Sequence, residues 1–311
     1  MQIARFGSVG DLALIGLGLN WGKPVYLPVD DNLVAAFEGV LKDDPPAGRQ
    51  KEQVVLDFME MHSELVPTPN LLNHHLHFQS IVSKFPLGTE LTTDYLYLTK
   101  SSGVWRVTFV EIEDPDKKLF NSDTKRNVPS AEFNAALNQV RSWKLFLQQN
   151  RTEVLRRLEP LLQPPNMRRH PIEFAFQLII GRSNNKIGAP RNGVIHAIAQ
   201  EAGVDIFTYD SVIARYQSHE RFKKNILRLS GTRYEFKRMH FEPSSILGHL
   251  GPDQFCLSKE EMKSLKASGY EIDKWLKGDL LTGNDKLASS TVDDKLANGT
   301  LFLLDDPKRP A

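Results

Sequence analysis

Two alternating segments separated by a short polar stretch constrain the fold of this chain more than any other feature. The segments TTDYLYLT (92–99) and VWRVTFVEIE (104–113) are rich in β-branched and aromatic residues, and KSSG links them. This pattern predicts an antiparallel β-hairpin. If Ser102 and Gly103 form a two-residue turn, the register places Asp94 directly opposite Glu111.

The predicted hairpin gathers three carboxylates on one patch of a sheet. Glu111 and Glu113 are two residues apart and therefore project from the same face of their strand. Directly opposed residues have Cβ atoms roughly 5 Å apart, so Asp94 joins them. Three carboxylates side by side repel one another or take up protons unless a cation lies among them. A divalent cation with oxygen ligands, Mg²⁺ above all, would balance the charge and promote phosphodiester hydrolysis.

The remaining segments predict an α/β fold with a mixed sheet flanked by helices. Ser130 is the expected N-cap of a long helix with an apolar face of Phe133, Ala136, Leu137, Val140 and Leu147, and a shorter helix is expected at 152–162. A strand at 173–180, a helix at 194–202 and a strand at 204–209 form a βαβ unit, which implies parallel strands. Helices are also expected at 30–44 and 51–65, the second with a stripe of Val54, Val55, Phe58, Met61 and Leu65.

Composition narrows the function classes only slightly. The chain has 311 residues and a formal net charge of +1, so any nucleic-acid contact must come from local basic patches. Its single cysteine, Cys256, excludes an internal disulfide and fits a cytoplasmic location. The apolar piece at 12–19 is too short to span a membrane, and we expect no membrane association.

The acidic residues and the helix that follows them resemble a known motif. An Asp on one strand, Glu-x-Lys or a variant on the adjacent strand, and a following helix with Gln are the pattern of PD-(D/E)xK nucleases. Gln139 and Trp143 resemble the Gln-x-x-x-Tyr of their RecB-like branch. More narrowly, the chain resembles the Shedu family of prokaryotic anti-phage defence proteins. The similar pieces, within residues 50–216, are the helix from Glu52 to Glu64 running into VPTP, FPLGTELTTDYLYL, FVEIEDP, and IIGRS followed by VDIFTYDSVI.

The resemblance implies a restriction-endonuclease-like fold and a metal-dependent DNA endonuclease that assembles into homo-oligomers, as a dimer or a tetramer. Asp94, Glu111 and the backbone carbonyl of Ile112 would bind Mg²⁺, for which Mn²⁺ could substitute. Gln139 would organise the site, and Glu52 resembles an acidic residue that such nucleases often add to it.

One residue departs from the motif. Glu113 occupies the position where lysine usually orients the attacking water, although some restriction endonucleases of this fold use Glu-x-Glu. A carboxylate can accept a proton from metal-bound water, so Glu113 is our preferred catalytic base. Lys100, Lys117 and Lys118 are alternative sources of the missing cation, with Lys100 far from the carboxylates. The competing hypothesis is a catalytically silent nuclease fold that binds DNA or DNA ends and acts by assembly or recruitment.

Basic residues suggest where DNA could bind. Lys117 and Lys118 follow the acidic motif, and Arg182 begins a polar loop after the strand at 173–180. The stretch 221–240 holds seven Lys or Arg, including Lys223 and Lys224, and is either a phosphate-binding surface or a solvated helix face. We expect three regions: an N-terminal region at 1–50, the nuclease-like domain at 51–216, and a basic and helical region at 217–311.

Overall fold

A computed structural model describes residues 27–122, 127–186, 188–218 and 221–281, and these form a mixed α/β structure. The strands are β1 (Leu76–Ser83), β2 (Tyr95–Lys100), β3 (Trp105–Ile112), β4 (Ile172–Ile179), β5 (Asp205–Phe207), β6 (Asn225–Ser230), β7 (Arg233–Arg238) and β8 (Phe255–Cys256). They form one sheet in the order β5-β4-β3-β2-β1-β6-β7-β8. The expected α/β class with a mixed sheet flanked by helices is therefore confirmed.

Helices cover both faces of this sheet. They are α1 (Asp31–Lys42), α2 (Lys51–Met61), α3 (Ala131–Leu158), α4 (Ala189–Ala202), α5 (Tyr209–Ser218), α6 (Ser244–Leu247), α7 (Lys259–Ala267) and α8 (Ile272–Trp275). Within the described ranges, none of these helices is both long and apolar enough to cross a membrane. The apolar piece at 12–19 lies outside the described residues.

The β2–β3 hairpin has the predicted register. Tyr95 pairs with Val110 and Lys100 with Trp105, and the Ser101 amide donates to the Val104 carbonyl at 2.9 Å. The turn therefore lies at Ser102 and Gly103, as the sequence predicted. The βαβ prediction is also confirmed, because β3, β4 and β5 run parallel.

Two hydrophobic cores lie on opposite faces of the sheet. The first packs α3 against it through the predicted apolar face, and the Ser130 hydroxyl accepts from the Phe133 amide at 3.0 Å. The two helices expected here are one element, interrupted only by non-helical dihedrals at Asn150. The second core joins α1, α2 and α5, where Phe37 contacts Phe58 and Tyr209.

Helix α2 buries a different face from the predicted one. Met61 is 51% exposed, whereas Leu56, Met59 and the carboxylate residue Glu60 are buried beside Val55. The helix also ends at Met61, and a short 3-10 turn covers Ser63–Leu65. The prediction is therefore partly right: Val55 and Leu65 are buried, but the buried face of α2 is centred on Val55 and Met59 and leaves Met61 in solvent.

The basic stretch 221–240 is not a helix face. It forms the β6–β7 hairpin, and β6 pairs in parallel with β1. The region after 216 therefore extends the same sheet by three strands, although the domain limits at 50 and 216 themselves stay a prediction.

Candidate active site

The acidic residues come together where several elements end. Asp94 directly precedes β2, Glu111 and Glu113 lie at the end of β3, and Glu52 is in the first turn of α2. Asp94 Oδ2 accepts a hydrogen bond from the Ile112 amide at 2.7 Å. This contact fixes the Asp94 carboxylate beside the end of β3, where the hairpin register predicted it.

Helix α3 contributes Gln139 to the same cluster. Its side-chain Nε2 donates to Glu111 Oε1, while the neighbouring Val140 is buried in the core. The structure thus brings together Asp94, Glu111, Glu113, Gln139 and the backbone of Ile112. The sequence grouped these five positions from two strands and a distant helix.

Burial and mutual repulsion make the carboxylates hard to ionise. Burial, followed by the charges of Asp94 and Glu113, raises the pKa of Glu111 well above its usual value. Burial also raises the pKa of Asp94, although Lys84 opposes this change. The pKa of Glu52 rises to about 7, first because it is half-buried and then because Asp94 and Glu113 are close. The cluster therefore holds more negative charge than its surroundings balance.

Two lysines supply part of the missing positive charge. Lys84 Nζ forms an ion pair with Asp94 Oδ1, and Lys117 Nζ forms one with Glu113 Oε2. The sequence pointed to Lys117 as one alternative cation but missed Lys84. Lys84 reaches the site through the antiparallel pairing of β1 with β2, in which Ser83 lies opposite Tyr95 and the next pair is Lys84 and Asp94. Lys100 is remote, because its Nζ donates to the Gln163 carbonyl at 2.7 Å.

The oxygen atoms of this site are the kind of ligand that suits a divalent cation. Across the described ranges, no group of three His, Cys, Asp or Glu side chains is placed to hold a metal ion. The third ligand implied by the motif is a backbone oxygen. The Ile112 amide points to Asp94. A residue in a strand directs its N–H and its C=O to the same side, so the Ile112 carbonyl also faces the side on which Asp94 lies. Two carboxylates and this carbonyl form an all-oxygen set, as Mg²⁺ prefers.

Ile179 at the end of β4 and Tyr209 at the start of α5 fix the backbone around Glu113. Its amide donates to the Ile179 carbonyl at 2.9 Å, and the buried Tyr209 hydroxyl donates to its carbonyl at 2.5 Å. Gly181 has φ of 61°, and a Cβ there would lie 2.3 Å from the Lys117 carbonyl oxygen. Only glycine lets the loop after β4 approach the loop after β3 this closely.

These two loops line an open cavity that includes Lys117, the partner of Glu113. Its volume is about 320 Å³, and its lining residues are Pro115, Asp116, Lys117, Lys118, Arg182, Asn184 and Asn185. Three of the five predicted DNA-contacting residues therefore share one cavity. Arg182 already pairs with Asp210 and Glu38, each at 2.9 Å, so it brings less unbalanced charge than the exposed Lys118.

The other two predicted DNA contacts lie elsewhere. Lys224 is fully buried, and its Nζ donates to the Ser63 carbonyl at 3.1 Å, so it cannot reach a phosphate in this structure. Its side chain is taken into the junction between the Ser63–Leu65 turn and β6. Lys223 pairs with Glu64 at 2.7 Å and lies at this same junction. In this structure Lys224 therefore presents no ammonium group to a phosphate, and its contact with DNA stays an untested prediction.

Fold and site together define a mixed α/β protein with an acidic site, flanked by lysines, at the ends of its central strands. The family model described as Shedu protein SduA, C-terminal, matches residues 49–213, which is more than half of the chain. The chain therefore belongs to the Shedu family, as its motifs indicated. No curated protein matches it.

Proposed function

We propose that this Shedu protein is a Mg²⁺-dependent DNA endonuclease that takes part in anti-phage defence. The observation that carries the proposal is the convergence of Asp94, Glu111 and Gln139 at the ends of adjacent strands. Such a cluster of buried, mutually repelling carboxylates is costly for folding, which favours a functional over a purely structural role.

The chain's own residues suit the parts of phosphodiester hydrolysis. Asp94, Glu111 and the Ile112 carbonyl would hold the cation, and Gln139 would keep the Glu111 carboxylate oriented. The cation, when bound, would lower the pKa of the attacking water and stabilise charge on the phosphate. Glu113 lies next to this group and would accept the proton of the water.

The cavity that includes Lys117 is a suitable place for a phosphate of the same DNA strand. Lys117 and Lys118 present ammonium groups there, and Asn184 and Asn185 add neutral hydrogen-bonding side chains. A chain with almost no net charge needs such a local basic site in order to hold DNA. The cavity thus supports DNA as the substrate. A homo-oligomer, a dimer or a tetramer, and a cytoplasmic location are further proposals that rest on the family and on the cysteine content.

The direct test is cleavage of supercoiled and linear DNA with Mg²⁺ or Mn²⁺ by the wild type, Asp94→Asn and Glu111→Gln. We expect cleavage that EDTA stops and a loss of at least ~100-fold in both variants, because each removes a ligand of the cation. Glu201→Gln, an exposed residue of α4, is the matched control and should cleave like the wild type. Equal rates for all four proteins would refute the assignment.

A catalytically silent DNA-binding protein is the second candidate. Glu113 at the lysine position of the motif favours it, as does the occupation of Asp94 and Glu113 by lysines. In that case the wild type would bind DNA without cleaving it at any concentration of Mg²⁺ or Mn²⁺. Loss of binding after Lys118→Gln would then locate the DNA on the same cavity.

A further inference from the structure

Lys84 directly follows β1, the strand next to the hairpin, and its ammonium group reaches the acidic site from there. Its Nζ pairs with Asp94 Oδ1, and its backbone amide donates to the Asp94 carbonyl at 2.9 Å. Lys84 thus contacts Asp94 through both its main chain and its side chain. Its side chain remains 52% exposed, so the ammonium group is open to a bound substrate.

The backbone at Lys84 has a conformation that lysine rarely adopts. Its φ of 49° lies in the left-handed region, where the conformational energy of a residue with a Cβ is about 1–2 kcal/mol higher. The neighbours hold it there: the Ser83 hydroxyl donates to Glu60 at 2.7 Å, and Phe85 is fully buried. Strained backbone positions of this kind cluster at functional sites.

The ammonium groups of Lys100 and Lys117, the other lysines near the motif, contact groups other than Asp94. Lys117 pairs with Glu113 and lines the cavity, while Lys100 lies at the opposite end of the hairpin. Of these three lysines, Lys84 is the one whose ammonium group contacts a proposed ligand of the cation. It also lies close enough to Glu52 and Glu111 to feel their charges.

We propose that Lys84 supplies, from outside the motif, the positive charge that this chain lacks at position 113, and that it is a catalytic residue of the DNA-cleaving site. Its ammonium group donates a hydrogen bond to a non-bridging oxygen of the scissile phosphate. As water attacks, its proton passes to Glu113, the new P–O bond forms, and the bond to the leaving oxygen breaks. The leaving oxygen takes a proton from solvent, and Lys84 stabilises the charge that accumulates on the phosphate.

This inference rests on the proposed function, and two measurements on the full chain separate them. The first is the single-turnover cleavage rate at saturating Mg²⁺ for the wild type, Lys84→Gln, Lys84→Arg and Lys263→Gln. Lys263, exposed on α7, is the matched control. The second is the affinity of each protein for Mn²⁺ without DNA, measured by calorimetry.

We expect Lys84→Gln to cleave about 100- to 1,000-fold more slowly, as when one stabilising donor is removed. The same variant should bind Mn²⁺ at least as tightly as the wild type, because a positive charge next to Asp94 is gone. Lys84→Arg keeps the charge and should recover part of the rate, and Lys263→Gln should match the wild type in both measurements.

Three results would overturn the inference. A Lys84→Gln rate within about threefold of the wild type would show that the ammonium group is not needed. A parallel loss of cleavage and Mn²⁺ affinity would make Lys84 a support for Asp94 only. A wild type that cleaves no DNA would refute the proposed function itself, and the role of Lys84 with it.

Discussion

Glu52→Gln should stabilise the protein in the absence of divalent cations, because it removes one of four crowded carboxylates. The pKa of Glu52 rises from 4.5 to about 7 in the folded state. The folded protein therefore binds a proton more tightly than the unfolded chain does. The stability of the folded protein therefore falls as the pH rises from the Glu52 pKa of the unfolded chain to that of the folded protein. Above pH ~7 this contribution of Glu52 is fully lost.

The size of the effect follows from this shift. Each pKa unit corresponds to about 1.4 kcal/mol, which would give an upper bound of roughly 3.4 kcal/mol for a fully shielded group. Glu52 is only half-buried, and solvent screening reduces the figure to about 1 kcal/mol. For a structure of this size, that gain raises the melting temperature by about 2–4 °C.

Thermal and urea denaturation in EDTA, from pH 4 to pH 8.5, would measure the difference between Glu52→Gln and the wild type. We expect no difference near pH 4, a growing gain between pH 4.5 and 7, and a constant gain above that. Glu201→Gln should show no such trend. A variant that is less stable at pH 8, or a gain equal at pH 4 and pH 8, would refute the electrostatic explanation.

Three further substitutions test the surroundings of the site. Gly181→Ala should lower the free energy of unfolding, measured by urea denaturation, by about 3 kcal/mol or more. The new Cβ would meet the Lys117 carbonyl, and the positive φ disfavours alanine. Gly103→Ala, which has open space around its Cβ, is the control and should be nearly neutral. Tyr209→Phe leaves the Glu113 carbonyl without its donor, so it should cost about 1–2 kcal/mol and also slow cleavage. Tyr234→Phe, whose hydroxyl donates to Arg157, should cost as much without slowing cleavage. Lys118→Gln should weaken DNA binding equally for all sequences and reduce the slope of log affinity against log salt by about 1.

The part of the site that the sequence predicted depends on local regularities. The β2–β3 hairpin has a two-residue turn, so its register follows from counting, and that alone placed Asp94 against Glu111. Gln139, 28 residues from Glu111, was assigned from the resemblance to the nuclease motif, and its side chain does contact Glu111.

Lys84 was missed because the segment that joins β1 to β2 is not a two-residue turn. Lys84 directly follows β1, Asp94 directly precedes β2, and between them Pro86 and Thr92 form only an isolated bridge. Counting across such a connection does not fix the register, so the sequence did not place Lys84 opposite Asp94. The burial of Lys224 was also not visible in the sequence, because a lysine in a basic stretch is expected to face solvent. The contacts that bury it come from Ser63, far away in the chain.

The charge balance of the cluster bears on whether Glu113 marks an active site or a silent one. Four carboxylates (Glu52, Asp94, Glu111 and Glu113) share it with two ammonium groups (Lys84 and Lys117), which leaves two negative charges when all are ionised. One divalent cation would balance that excess, and without a cation the carboxylates respond by raised pKa values at Glu52 and Glu111. A lysine at position 113 would lower the excess charge and weaken the attraction for the cation. Under our proposal, Lys84, which follows β1, and Lys117 supply the positive charge that the motif usually carries at position 113, and a glutamate there is then compatible with catalysis.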